Sequence, residues 1–354
     1  MKKKSLSAKK KIHKTLLKHL KNKRINKVYK EFKDSLDYNL EPIIPFTPKD
    51  CPKLGLAISG GPDSMALAFL SKCYLLKENL NGKFFIVDHK LRKESSTEAK
   101  LLKNFLRKFN INCEILHWQG KKPLSNVQAI ARKNRYQLLK KACKKNNILN
   151  LLTGHHKDDV YENFFIRMLR GSGLKGLISL DKKEKVKDKN LLRPLLEQKK
   201  DDLIFTAKNV FNFYINDPTN IDQKYQRIRV RKLITELQKD GLDNKKFSKT
   251  IQNLKSSNFV VNFYVKENLK KNTFFSNKKN QLILNDNFFK HPYEVIFRSL
   301  SEVIQLIGKK YYSVRGKKLS KIINNIENNR LNKVTLGGCI IEKVNQTVII
   351  SKEH

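Results

Sequence analysis

A chain of 354 residues has room for two or three domains, and with 39% hydrophobic residues it can bury real cores, which excludes wholesale disorder. Lysine and arginine number 75 against 32 aspartates and glutamates, and the self-repulsion of a formal charge of +43 calls for a polyanionic partner, either nucleic acid or an anionic membrane surface. Five scattered cysteines without a C-x-x-C exclude a zinc ribbon or a cysteine-held cluster and fit a reducing compartment, and no apolar run approaches the roughly 20 residues of a membrane span.

The first 24 residues, MKKKSLSAKKKIHKTLLKHLKNKR, lack the apolar centre of a secretory signal. Ile12, Leu16, Leu17 and Leu20 fall at helical spacing, which leaves an organelle-targeting or membrane-surface helix open beside the preferred reading. That reading is a basic arm over residues 1–50 containing a helix near Ile25 to Leu40 and ending in PIIPFTPKDCP. From Leu54 short apolar runs alternate with amphipathic stretches, the pattern of βαβ units on a parallel sheet. Strands are predicted at Leu54–Ile58, Lys83–Val87, Cys113–Trp118 and Ile148–Leu152, with helices near Ser64–Leu76, Ser95–Phe109 and Asn126–Lys145. Asp181–Asn190 is lysine-rich, has no apolar period and reads as a loop, and a catalytic α/β domain is expected over 51–232. A helical linker is expected over 233–290 and a small α+β domain that binds RNA over 291–354. No internal repeat is visible.

Two stretches carry chemistry. In LGLAISGGPDSMALAFL an apolar strand, the turn Ser59-Gly60-Gly61-Pro62-Asp63-Ser64 and an apolar helix follow one another. That order sets several main-chain N–H groups at a helix N-terminus, where an anion is favoured. Gly60 and Gly61 admit phosphate oxygens close to the backbone, Ser59 and Ser64 add hydroxyl donors, and Pro62 stiffens the turn. The turn lacks the lysine of a Walker A loop and is a different device. The second stretch, TGHHKDDVYENFFIRMLRGSG, follows another apolar strand. Asp158, Asp159 and Glu162 converge on one helix face, directly after His155 and His156, in a chain short of acids. Acids in a first helical turn can merely offset the dipole. Histidines beside carboxylates at the carboxyl edge of a parallel sheet point instead to proton transfer and to a held cation or metal.

The string SGGPDS resembles the pyrophosphate loop of the N-type ATP pyrophosphatases, which cleave ATP between its α and β phosphates through an adenylated intermediate. The resemblance implies a Rossmann-like parallel sheet, ATP and Mg²⁺, with Asp63 as the metal's carboxylate. It narrows when further strings are added in order: VDHKLR at 87–92, ARKNRY at 131–136, GHHKDD at 154–159, LRGSG at 169–173, RPLL at 193–196 and NDPTN at 216–220. This series is similar to the tRNA(Ile)-lysidine synthetases from Leu54 to about Arg231, and YYSVRGKKLSKII and TLGGC resemble the end of that family's shorter members. The implied reaction adenylates C2 of the wobble cytidine in the isoleucine tRNA with a CAU anticodon, and the ε-amine of free L-lysine then displaces AMP. Asp158, Asp159 and Glu162 would position the lysine cation, with His155, His156 or an aspartate accepting its proton. Arg132 and Arg135, one turn apart, would contact phosphate or cytidine, or else are ordinary solvated helix charges.

The sequence departs from the family where Val160-Tyr161-Glu162-Asn163 replaces the usual Gln-Ala-Glu-Thr, keeping the glutamate. Arg227-Ile228 replaces an Arg-Asn pair, which weakens any role for that asparagine. The tRNA phosphates are expected on the arm, on 181–200 and on the C-terminal third. A cytoplasmic protein is expected, with an organelle matrix or stroma left open, and its oligomeric state, a dimer included, is left open too. Competing readings are a tRNA thiolase, disfavoured by the absent cysteine pairs, and a non-catalytic basic RNA-binding protein, disfavoured by the carboxylates. A glutamine-using amidotransferase relative would need an ammonia-generating domain that the sequence does not suggest.

Overall fold

A computed structural model describes residues 2–40, 53–92, 94–120, 127–186, 188–215, 226–276, 281–309 and 314–353. The chain divides into two compact units, Met1–Gly241 and Leu242–His354. In the first, helices α1 (Lys2–Lys18) and α2 (Lys23–Asn39) precede β1 (Lys53–Ile58), α3 (Pro62–Lys77), β2 (Asn81–Asp88), α4 (Ser95–Arg107) and β3 (Cys113–His117). Then come α5 (Val127–Lys145), β4 (Asn150–Leu152), α6 (Lys157–Met168), the one-turn α7 (Leu174–Leu177), β5 (Lys183–Val186), β6 (Lys189–Leu192), α8 (Lys200–Phe211) and α9 (Gln226–Lys239).

The sheet runs β3-β2-β1-β4-β6-β5. All neighbours pair in parallel except the edge strand β5, which is antiparallel to β6. The chain leaves β1 for β2 and β3 on one side and returns to β4 on the other, so a crevice opens beyond the carboxyl ends of β1 and β4. Leu54, Leu56, Ala57 and Ile58 of β1 are all buried, as a sheet covered on both faces requires. Nearly every residue of α3 from Ser64 to Leu75 is buried too, because this helix lies in the middle of the unit and packs against α1, α2 and α8.

The four strands and three helices predicted between Leu54 and Leu152 are present, with ends shifted by a few residues. Two expectations are corrected. The first concerns the arm over 1–50. Its helices are part of the first unit, because Leu16, Leu20, Ile25, Val28, Tyr29, Phe32 and Leu36 sink into the same core as α3. Asn22 caps α2 by accepting from the amides of Arg24 and Ile25. The stretch PIIPFTPKDCP lies outside the described residues.

The second correction concerns Asp181–Asn190, which forms the β5–β6 hairpin. The buried guanidinium of Arg193 anchors it, donating to the Asp181 carbonyl at 2.7 Å and to Glu184 at 2.5 Å. Asn190 adds a buried side-chain bond to Asn150 on β4 at 2.9 Å. Exposed charges on a short outer strand are how a sheet edge resists pairing with other chains, so the missing apolar period marks an edge here.

The second unit holds α10 (Asn244–Asn272), β7 (Thr273–Ser276), β8 (Gln281–Leu284), α11 (Tyr293–Ile307), α12 (Gly316–Glu327), β9 (Lys333–Leu336), β10 (Cys339–Val344) and β11 (Thr347–Lys352). Its antiparallel sheet runs β7-β8-β11-β10-β9. Pairing of Leu284 with Val348 and of Leu282 with Ile350 joins the expected linker to the expected C-terminal domain, so the two form one α+β unit. Its core gathers Leu284, Phe288, Ile296, Leu300, Ile304, Leu319, Ile323 and Ile341. Among the described residues no helix is long and apolar enough to cross a membrane.

Candidate functional site

The turn after β1 is built on Gly60, whose φ of +89° suits glycine. A Cβ there would come within 2.8 Å of Ile215, whose amide donates to the Gly60 carbonyl at 2.9 Å. Gly61 is the N-cap of α3, Pro62 opens the helix, and a Cβ on Gly61 would meet no atom within 4 Å. The first helical bond runs from the Met65 amide to the Gly61 carbonyl, so the amides of Asp63 and Ser64 have no partner within the helix. Ser64 is buried, and its hydroxyl accepts from the Ser59 amide at 3.2 Å and donates to the Gly61 carbonyl at 2.9 Å. It therefore braces the turn, which leaves the exposed Ser59 as the free hydroxyl there.

Beyond β4, Gly154 meets this turn at close range. A Cβ on Gly154 would lie 3.2 Å from the Asp63 carbonyl oxygen and 3.3 Å from the Ser64 nitrogen. With the backbones so close, His156 reaches across, and its Nε2 lies 3.5 Å from Asp63 Oδ2 and 3.7 Å from Asp159 Oδ2. Asp159 also accepts from the His156 amide at 3.0 Å, tying off the start of α6. One imidazole thus stands between two carboxylates contributed by the two halves of the sheet.

Two buried polar atoms here, Asp63 Oδ1 and His156 Nδ1, have no hydrogen-bond partner among the described residues. Burial raises the pKa of the Asp63 carboxyl, and the charge of Asp159 adds to this against His156 and Lys200. Burial also opposes ionisation of Asp159, but His156, His155, Arg227 and the His156 amide outweigh it and hold that carboxyl below its ordinary value. Glu162 is fully buried and engaged. Arg231 Nε donates to it at 2.5 Å, and Arg227 Nε lies 3.5 Å from its other oxygen while Arg227 Nη2 reaches to 3.8 Å from Asp159. Burial opposes the charge of Arg231, and its bond to Glu162 reverses this and raises its pKa.

The other predicted residues are distributed differently. Asp158 is partly exposed and makes none of these contacts. His155 turns toward Thr153, whose hydroxyl lies 2.9 Å from its Nδ1. Burial drives the His155 pKa down to about 3, with Arg193, Arg132 and Arg135 adding to the effect and Asp159 opposing it. Arg132 is exposed and lies over the Tyr136 ring, 5.1 Å from its centroid, whereas Arg135 turns inward, lowering the pKa of both His155 and His89. The string NDPTN at 216–220 lies outside the described residues.

The predicted site residues separate into an acidic half (Asp63, Asp159, Glu162) that encloses His156 and a basic half (Arg132, Arg135), with His155 feeling the charge of both. Sequence reading missed Lys200 beside Asp63 and Arg231 on Glu162. The second was within reach, because Arg227 and Arg231 are four residues apart on one helix in a stretch where only α6 supplies a cluster of acids. Asp63 has one buried carboxylate oxygen without a partner among the described residues, a hard oxygen that suits a cation shared with phosphate oxygens. Among the described residues no three His, Cys, Asp or Glu side chains could hold a metal by themselves.

Residues 21–237 match the PP-loop domain family. A tRNA(Ile)-lysidine synthase of Orientia tsutsugamushi is 42% identical over 52% of this chain and 42% of its own length. A tRNA(Ile)-lysidine synthase of Wolbachia pipientis is 31% identical over 85% of this chain and 70% of its own length. Among solved structures, the U34-tRNA thiolase NcsA of Methanococcus maripaludis with its [4Fe-4S] cluster superposes with a TM-score of 0.54 at 19% identity. That likeness covers 66% of this chain and 79% of the thiolase and speaks to the fold alone. A glycine turn at a helix start, an acid and histidine cluster facing it across one crevice, and relatives that run through both units lead to one assignment: the chain belongs to the tRNA(Ile)-lysidine synthase family and carries its PP-loop domain.

Proposed function

We propose that the protein joins free L-lysine to C2 of the wobble cytidine of the CAU-anticodon isoleucine tRNA, consuming ATP and releasing AMP and diphosphate. The observation that carries this reading is the His156 imidazole, whose Nε2 lies 3.5 Å from Asp63 and 3.7 Å from Asp159 across the β1–β4 crevice, with Asp63 Oδ1 and His156 Nδ1 buried and unpartnered among the described residues. A nucleotide held by one strand turn and an amine held beside the other would meet there. Unpaired amides at the start of α3 and the exposed Ser59 hydroxyl receive phosphate oxygens, and the helix N-terminus favours their charge. Asp63, with one oxygen unpartnered, would hold Mg²⁺ together with those oxygens, and the cation would spread the charge that develops on the diphosphate leaving group.

Asp159, kept ionised by its neighbours, attracts the lysine ammonium, with the partly exposed Asp158 at the rim. Glu162 has a different task from the one its sequence position suggests. Bound to Arg227 and Arg231, it fixes α9 against α6 and so sets where Asp159 points. The amine must lose a proton before attack on the activated cytidine carbon. His155, with a pKa near 3, is a poor acceptor at neutral pH, whereas His156 lies between the carboxylates where that proton is released. Arg132 and Arg135 approach from the basic half, where the cytidine and its phosphate would enter.

The thiolase alternative is not favoured, because Cys73, Cys113, Cys143 and Cys339 are each buried on a separate element. The test is incubation with ATP, Mg²⁺, radiolabelled lysine and a transcript of the tRNA. Label enters the RNA, and Asp63→Ala or Asp159→Ala abolishes it. Equal labelling of unrelated tRNAs would overturn the specificity, and no lysine-dependent label would overturn the reaction.

A further inference from the structure

The +43 charge is spread over the surface, but one cluster stands apart from the catalytic crevice and from the stretches expected to meet RNA. Lys100, Lys103 and Arg107 follow one another at i, i+3 and i+7 on α4, so they share a face, and Asn104 lies among them. The opposite face of α4 buries Ala99, Leu102 and Leu106 in the core, which fixes the cations outward. None of the three has an acidic partner among the described residues. Between this face and the edge strand β3 lies an open cleft of about 590 Å³, lined by these four residues with Glu114, Ile115 and His117. A second, shallower cavity of about 430 Å³ continues along α4 past Lys100 and Asn104 to Lys108.

The cleft reaches the catalytic edge of the sheet through one carboxylate. His117 ends β3, and its Nδ1 lies 3.2 Å from Oδ2 of Asp88, the residue that ends β2. Asp88 is 1% exposed and accepts from the Lys90 amide at 3.0 Å and from the hydroxyls of Ser95 at 2.8 Å and Ser96 at 2.6 Å. It thereby holds the turn that carries His89, against which Arg135 stands, and the first residues of α4. Through His117 the lining of the cleft is therefore joined to Asp88 at the carboxyl end of β2.

We infer that the α4–β3 cleft is a binding site for the ribose-phosphate backbone of the RNA substrate. It would hold the strand on one side of the base presented at the crevice, and the inference rests on the tRNA reading above. Lys100 and Arg107 stand roughly 10 Å apart along the helix, a distance that two or three successive phosphates of one strand cover. A concave groove walled by lysine and arginine suits a strand, whose phosphates meet the cations while its sugars lie against Ile115 and the alkyl stems. A flat membrane surface would ask for several exposed apolar anchors, and the one exposed large apolar side chain on α4 is Leu101.

The test compares the full chain with the triple variant Lys100→Ala, Lys103→Ala, Arg107→Ala, after circular dichroism has shown matching melting. Binding of the tRNA transcript is followed by fluorescence anisotropy from about 50 to 300 mM KCl. The expected result is about a tenfold loss of affinity near 0.1 M salt, a log Kd against log salt slope smaller by about 2, and unchanged ATP binding. A slope and affinity equal to the parent's would overturn the assignment. So would an equal loss in a control that removes Lys141, Lys144 and Lys145 from α5, since net charge alone would then explain it. Vesicles with about a third phosphatidylserine form another arm, and lost vesicle binding with RNA binding intact would overturn the cleft in favour of a membrane surface. A parent that binds this RNA yet fails to incorporate lysine would remove the proposed reaction and leave the cleft standing.

Discussion

At the scale of residues, the site depends on which carboxylates are paired. Glu162 is fully buried against Arg231 and Arg227, so Glu162→Gln strands two guanidinium groups rather than removing a lysine ligand. The expected cost is about 2–3 kcal/mol in chemical denaturation, since breaking a partly buried pair from one side is dearer than never having built it. Lysine incorporation falls with it, whereas ATP binding at the β1 turn is retained. His155 makes a different prediction. Its pKa of about 3 in the folded protein lies below the ordinary 6.5, so the fold holds it neutral. Its contribution to stability is therefore complete above about pH 6.5 and is lost as pH falls toward 3, by at most ~1.4 kcal/mol per pH unit. Urea midpoints measured from pH 7.5 to 5 should fall more steeply for the parent than for His155→Asn.

How far the residues could be read from sequence follows from the kind of interaction each one makes. Asp63, His156 and Asp159 stood out because a local string fixes the turn and helix that present them. The partners of Glu162 are 65 and 69 positions away, on a helix whose place no local pattern gives. The Ser64 hydroxyl shows a further limit, because at a helix start binding a ligand and bracing the turn call for the same residue.

At the scale of elements, β1 through β4 and their helices were legible, because buried parallel strands and amphipathic helices each impose a clear period. The β5–β6 hairpin was not, since an edge strand with lysines facing water has an apolar residue only at Val186. The helix expected near Ile25 to Leu40 is present as α2, but the packing of the N-terminal helices into the core escaped, for the opposite reason. Their apolar stripe was visible, but lysine crowds it so densely that charge suggested a free arm, whereas Phe32 is fully buried and packs edge-on to Tyr74 of α3. Phe32→Ala should therefore cost about 3–5 kcal/mol and lower the melting temperature of the unit that binds ATP. An effect confined to RNA binding would show that the helices are an appendage after all. Glu31, which accepts from the buried Gln198 at 2.7 Å, ties the same helix to the segment that carries Lys200 toward Asp63.

At the scale of the whole molecule, the two units close separate cores among the described residues, the first around α3 and, apart from it, around Leu139, Cys143 and Phe85, and the second around α11. Leu300 lies wholly inside the second, and Leu300→Ala should destabilise that unit by about 2–5 kcal/mol. Calorimetry should then show one transition moving while the ATP affinity of the first unit holds. A joint shift of both would mean that the two units melt as one. The division near Gly241 was hidden in the sequence because the pairing of β8 with β11 joins segments more than sixty residues apart.

One feature of the sheet bears on motion. The strands that deliver the two halves of the catalytic crevice are stitched together over only three residue pairs, Leu54–Asn150, Gly55–Leu151 and Leu56–Leu152. The seam between β4 and β6 is equally short, so β4 is the strand where the sheet would first breathe, and a nucleotide gripped from both sides of the crevice would act as its clasp. Deuterium uptake at the β4 amides should then slow when ATP is added and quicken again once the adenylate leaves, making those few amides a clock for the catalytic cycle.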